Sequence, residues 1–115
     1  MFLMSLLSLF ATAASATTIN SGSFNSVTNK VELNVSYGGG CSEHYFELKL
    51  NSACKETDPV QCELRLSHTV DEPDYCEGYI TEELVLELPE PMLTDSYFER
   101  AFVRILNSDV SFQLP

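Results

Sequence analysis

Basic residues are scarce in this chain of 115 residues: Lys and Arg together number 6 against 17 Asp and Glu, for a formal net charge of -11. A surface so poor in cations has nothing with which to neutralise phosphates, so nucleic acid is excluded as a partner. Apolar runs are short as well. A membrane-crossing helix needs about 20 consecutive apolar residues, and only residues 1–16, MFLMSLLSLFATAASA, come near that length. No membrane span is expected. Phosphate-cradling glycine patterns are missing too: neither GxxxxGK nor GxGxxG occurs, and Gly38-Gly39-Gly40 is not followed by a helical pattern. The glycine triplet is read instead as a turn or bulge leading into Cys41.

The opening run ends in the small-residue pattern Ala14-Ser15-Ala16, which marks residues 1–16 as a secretory signal peptide removed on export, to the periplasm or the extracellular space. It holds no Lys or Arg, which such a leader ordinarily carries, and this points to a start codon upstream of Met1. No Leu-x-x-Cys lipidation box sits near the cleavage point. Removal of sixteen residues leaves residues 17–115, a length suited to one domain and too short for two independent cores.

Within that domain the apolar residues recur with a period of two. Val31, Leu33, Val35 and Tyr37 alternate with polar residues; so do Phe46, Leu48 and Leu50, then Cys62, Leu64 and Leu66, which is the signature of half-buried strands. Ile80, Leu84, Leu86 and Leu88 set a fourth strand, stopped by Pro89 and Pro91, which cannot donate to a ladder. Met92–Arg100 is expected to form a short helical turn. Phe102–Leu106 and Val110–Leu114 read as a hairpin closed by Asn107-Ser108-Asp109, and Thr17–Val27 as a weaker edge strand. About seven short strands without a long helix predict an all-β fold, a single antiparallel β-sandwich of immunoglobulin-like architecture. The Trp and the cysteine spacing of true immunoglobulin domains are missing, so the likeness is one of architecture, with a small barrel as the alternative.

Four cysteines in an exported chain of this size predict two disulfides, for which three pairings exist. Cys54 and Cys62 flank the turn-like KETDPVQ and would staple the loop between two strands; Cys41 and Cys76 are then the second pair. If Phe46–Leu50 and Cys62–Leu66 form a hairpin pairing Leu50 with Cys62, Leu48 with Leu64 and Phe46 with Leu66, His44 falls opposite His68, with Cβ atoms roughly 5 Å apart. Cys41 and Cys76 flank the same end.

This constellation has several readings. Reduced Cys41 and Cys76 with His44 and His68 make the donor set of a tetrahedral zinc site. With the cysteines oxidised, the two histidines, helped by Asp71 or Asp74, would suit Zn or Cu. The plainer account is a histidine pair capping a sheet, each ring hydrogen-bonded to its surroundings, or serving as a pH sensor. Asp71-Glu72-Pro73-Asp74-Tyr75-Cys76-Glu77 concentrates oxygen ligands but lacks the Asp-x-Asp-x-Asp-Gly order of a calcium loop. Leu66 to Glu99 contains no Lys or Arg, so this half projects a negative field: a solvated face, or a surface for a cation or a basic partner.

For catalysis, Cys41 or Ser42 beside His44 would be the nucleophile–base pair, yet no GxSxG elbow is present and an exported cysteine is more often oxidised than reactive. No catalytic residue is assigned and the chain is read as a non-enzyme. Asn34-Val35-Ser36 fits a glycosylation sequon.

At Tyr37-Gly38-Gly39-Gly40-Cys41-Ser42-Glu43-His44, followed by Pro59-Val60-Gln61 and His68, the chain resembles uncharacterised exported bacterial proteins carrying a GGGC-x-x-H segment. The resemblance leaves out Cys54 and Cys62. It implies a bacterial cell-envelope or extracellular setting and carries no activity, since that family has none established. The chain is therefore expected to be an exported, acidic binding or structural module, with a protein or small ligand as partner and metal binding at His44 and His68 as the alternative.

Overall fold

The computed structural model describes residues 16–115; the expected signal peptide lies, Ala16 apart, outside the described residues. Seven strands form: β1 (Thr17–Asn25), β2 (Lys30–Gly39), β3 (His44–Leu50), β4 (Gln61–Val70), β5 (Gly78–Glu87), β6 (Phe102–Ile105) and β7 (Ser111–Gln113). They make a three-stranded sheet in the order β1-β2-β5 and a four-stranded sheet in the order β3-β4-β6-β7. The alternation read from the sequence is what buries them. Val31, Leu33, Val35 and Tyr37 of β2 meet Leu48, Cys62, Leu64, Val103 and Ile105 of the other sheet in one core. Phe24 stacks on Phe112 at a ring separation of 5.1 Å, joining β1 to β7 at one end of this sandwich-like arrangement.

Three details differ from expectation. First, β4 and β6 run parallel, Cys62 lying beside Val103 and Leu64 beside Ile105, whereas the other pairs are antiparallel. β5 belongs to the opposite sheet, so residues 88–101 carry the chain back to the end at which β4 starts. The immunoglobulin likeness stops at two sheets and seven strands, because that fold does not place its fourth strand between the third and the sixth. Second, the expected helical turn over 92–100 is two short 3₁₀ turns, Glu90–Met92 and Ser96–Phe98, which bury Met92 and Phe98 against the core.

Third, the β3–β4 register is shifted by two residues. Leu50 pairs with Leu64, Leu48 with Leu66, Phe46 with His68 and His44 with Val70. A slip of two leaves every side chain on its original face, so alternation alone does not detect it. Cys62 is needed elsewhere: it is bonded to Cys54, which folds the 51–60 loop back so that Lys55 bridges to Gln61.

The hairpin of β6 and β7 closes as read, with Asn107 at φ 59° and Ser108 Oγ accepting from Val110 N at 3.0 Å. The sequon asparagine sits in the central strand β2. Asn34 donates to Glu83 on one side and accepts from Asn20 at 2.8 Å on the other, so its amide is engaged where a glycan would attach.

Candidate functional site: a hydroxyl, two imidazoles and a carboxylate in line

Two glycines at the end of β2 shape the site, the last residue of the strand and the one after it. Gly39 and Gly40 have φ of 132° and 120°, a region that side chains rarely adopt. They turn the next backbone amides toward one point. Asp74 fills it from the loop between β4 and β5: its carboxylate accepts from Gly40 N at 2.8 Å, Cys41 N at 3.1 Å, Ser42 N at 3.1 Å and Cys76 N at 3.1 Å. Successive amides curled in this way form an anion-binding concavity, and the anion here is the chain's own aspartate. The Cys41–Cys76 disulfide closes the same junction, and Cys54–Cys62 forms the second bridge, as expected.

From Asp74 the hydrogen bonds run on in a line. His44 Nε2 lies 2.7 Å from Asp74 Oδ2, His44 Nδ1 lies 2.7 Å from His68 Nε2, and His68 Nδ1 lies 2.6 Å from Thr17 Oγ1. The two rings are not directly opposite in the ladder; they meet across a diagonal, a separation that aromatic side chains bridge. Phe46 stacks on His68 at 4.3 Å, and Tyr37 packs against both imidazoles at 4.7 and 5.1 Å. The Tyr37 hydroxyl donates to Glu82 at 2.6 Å, and burial together with that carboxylate pushes its pKa up to about 12. Only 5 % of the His44 and Asp74 side chains is exposed.

The proton positions follow from the donor inventory. An ionised carboxylate only accepts, so His44 Nε2 carries a hydrogen; in neutral His44, Nδ1 is then an acceptor and His68 Nε2 must donate to it. His68 Nδ1 is left as an acceptor for the Thr17 hydroxyl. Every link is satisfied with both rings neutral. A single added proton reverses the two inner links without losing any, since His44 then donates to His68 and His68 to Thr17 Oγ1. A second proton sets two N–H groups against each other.

Acid is therefore expected to destabilise the fold. Burial, and then the neighbouring His44, hold the His68 pKa below its ordinary value of about 6.5. The hydrogen bond from His44, with those from the backbone, holds the Asp74 carboxyl far below the usual carboxylate range against the opposing effect of burial. In both cases the unfolded chain binds more protons, so stability is full above about pH 6.5 and falls with pH, first through His68 and then below about pH 4 through Asp74. Urea midpoints from about pH 7.5 to about pH 4.5 test this: His68→Gln should flatten the upper part of the decline, and an unchanged slope would remove His68 as its source.

The sequence placed Cys41, His44, His68 and Cys76 together and the structure does so. The two cysteine sulfurs are bonded to one another, so the thiolates of a four-ligand zinc site are not available in this state. Asp74 meets His44, whereas Asp71 accepts from the Tyr45 hydroxyl at 3.2 Å. Thr17 was missed: it lies 51 residues from His68 in a weakly patterned edge strand, and nothing in its local sequence marks it. Elsewhere, a groove opens on the outer face of the second sheet beside Lys55, Gln61, Phe102 and Gln113, where Arg104 is already paired with Glu63. The chain matches no family model, no curated protein and no solved structure.

Proposed function

We propose that the chain is an exported binding module whose contact surface is the rigid end built on Asp74, and that its partner is cationic. The observation behind this reading is the double anchoring of the 71–77 loop, by the three backbone amides of residues 40–42 on Asp74 and by the Cys41–Cys76 bridge. A loop fixed inside presents a fixed surface outside. That surface carries Tyr75, 87 % exposed, and Tyr45, whose hydroxyl bonds Glu43 and Asp71, with Glu72 and Glu77 on the same loop. Tyrosine supplies contact area at low conformational cost, and the carboxylates attract a basic partner. The disulfides and the resemblance to exported bacterial proteins support a periplasmic or extracellular setting.

A labelled oligo-arginine peptide is the probe. Its fluorescence anisotropy should report binding that weakens with salt, and Tyr75→Ala should weaken it roughly tenfold, the loss of one aromatic anchor. Equal binding of an oligo-glutamate peptide, or no effect of Tyr75→Ala, would sink the reading. The competing reading is a Zn or Cu site at His44 and His68. An ion there must displace the hydrogen bonds now held by all four ring nitrogens or their neighbours. Retention of one such ion per chain on dialysis, lost in His68→Ala, would favour it.

A further inference from the structure

We propose that Thr17 Oγ1 is an activated nucleophile, with His68 as its general base and His44 and Asp74 as positioning residues, and that it accepts acyl groups from ester-class substrates. This goes beyond the binding role and does not depend on it. A hydroxyl nucleophile needs a base within about 2.6–3.2 Å and a third group that orients the base. Thr17 Oγ1 is 2.6 Å from His68 Nδ1, and His68 Nε2 is held at 2.7 Å by His44, itself held at 2.7 Å by Asp74. The direction of the chain is the one that activation requires. With both rings neutral, the one nitrogen of His68 that accepts a hydrogen bond faces the hydroxyl.

The proton inventory closes. Attack of Thr17 Oγ on an ester carbonyl forms a C–O bond while the O–H proton passes to His68 Nδ1. The Nε2 proton of His68 moves to His44 Nδ1, so the positive charge comes to rest on His44 against the Asp74 carboxylate, two rings from the reacting oxygen. Collapse of the tetrahedral adduct breaks the ester C–O bond and releases the alcohol or phenolate, leaving an acyl-Thr17 ester. His68 then carries a hydrogen on Nδ1, placed to protonate an alkoxide that leaves from that position. No oxidant or reductant is involved.

Two other features suit the role. Thr17 is half-buried at the start of an edge strand, whereas His44 and Asp74 behind it are shielded, so substrate reaches the hydroxyl before the relay. With the expected cleavage after Ala16, Thr17 becomes the amino-terminal residue, and its α-amino group would put a positive charge on the nucleophile's own residue, favouring the negative charge that develops on the carbonyl oxygen.

The test uses the exported chain and p-nitrophenyl acetate. The expected result is a burst of one p-nitrophenolate per chain and one acetyl group, located on Thr17 by peptide mass mapping. Thr17→Ser should keep the burst, and Thr17→Val, close in shape and checked for folding by near-ultraviolet circular dichroism, should lose it. His68→Gln should slow it about a hundredfold, the usual size of a general-base contribution. His44→Gln should move the pH at which labelling is half-maximal, a readout that a merely structural role would leave in place. Acetyl found only on lysines or on an imidazole, or a Thr17→Val chain that labels at the parent rate, would overturn the assignment.

Discussion

Replacing Cys41 and Cys76 together by alanine is expected to lower the unfolding free energy by about 4 kcal/mol, with the fold otherwise intact. The bridge spans 35 residues of sequence, and closing a loop of that size removes unfolded-state entropy in roughly that amount. For a small domain holding about 5–15 kcal/mol in total, this is a large fraction. The Cys54–Cys62 bridge closes only 8 residues, and its loop contribution is about 2.5 kcal/mol. Cys62 is also part of the core, so removing it loses packing as well, whereas Cys41 is exposed. Urea unfolding of the two double variants separates these contributions. A Cys41→Ala/Cys76→Ala chain less than about 1 kcal/mol below the parent would mean that Asp74 holds the junction without the bridge, contrary to the loop-closure account.

The parts of this molecule that were legible in the sequence are those governed by a period. Val31, Leu33, Val35 and Tyr37 declare a strand and its buried face because one side of β2 must meet a core. Period does not say which strand lies beside which. The parallel pairing of β4 with β6 depends on the path of residues 88–101, and the two-residue slip of β3 on β4 preserves every face and so leaves no trace in the pattern. The histidine pair was found from a register that was wrong, because the rings reach each other diagonally as well as directly. Thr17 and the choice of Asp74 over Asp71 were hidden for a different reason. Each is set by backbone turns far away in sequence: the site closes only where Gly39 and Gly40 bend β2 around a carboxylate 34 residues on from Gly40.

That bend makes the buried Gly39 intolerant of a side chain, and Gly39→Ala is expected to cost about 3 kcal/mol or more. Its φ of 132° is strained for any residue with a Cβ, which alone accounts for roughly 1–3 kcal/mol. An added Cβ would also overlap Asp74 Oδ2 and lie 3.0 Å from His44 Nε2. The alanine therefore evicts the carboxylate, and three amides of residues 40–42 and the His44 N–H lose their acceptor together. Gly38 is the control one residue away. A Cβ there would find its nearest neighbour, Gly78 O, at 3.9 Å, an ordinary contact, so Gly38→Ala should change stability by about 0.5 kcal/mol or less in either direction. The measurement is a pair of urea curves with proton NMR of the His44 ring N–H, whose signal should survive in Gly38→Ala and vanish in Gly39→Ala. Equal losses in the two variants would show that the triplet matters only as flexible chain, and the concavity around Asp74 would cease to explain why glycine stands at position 39.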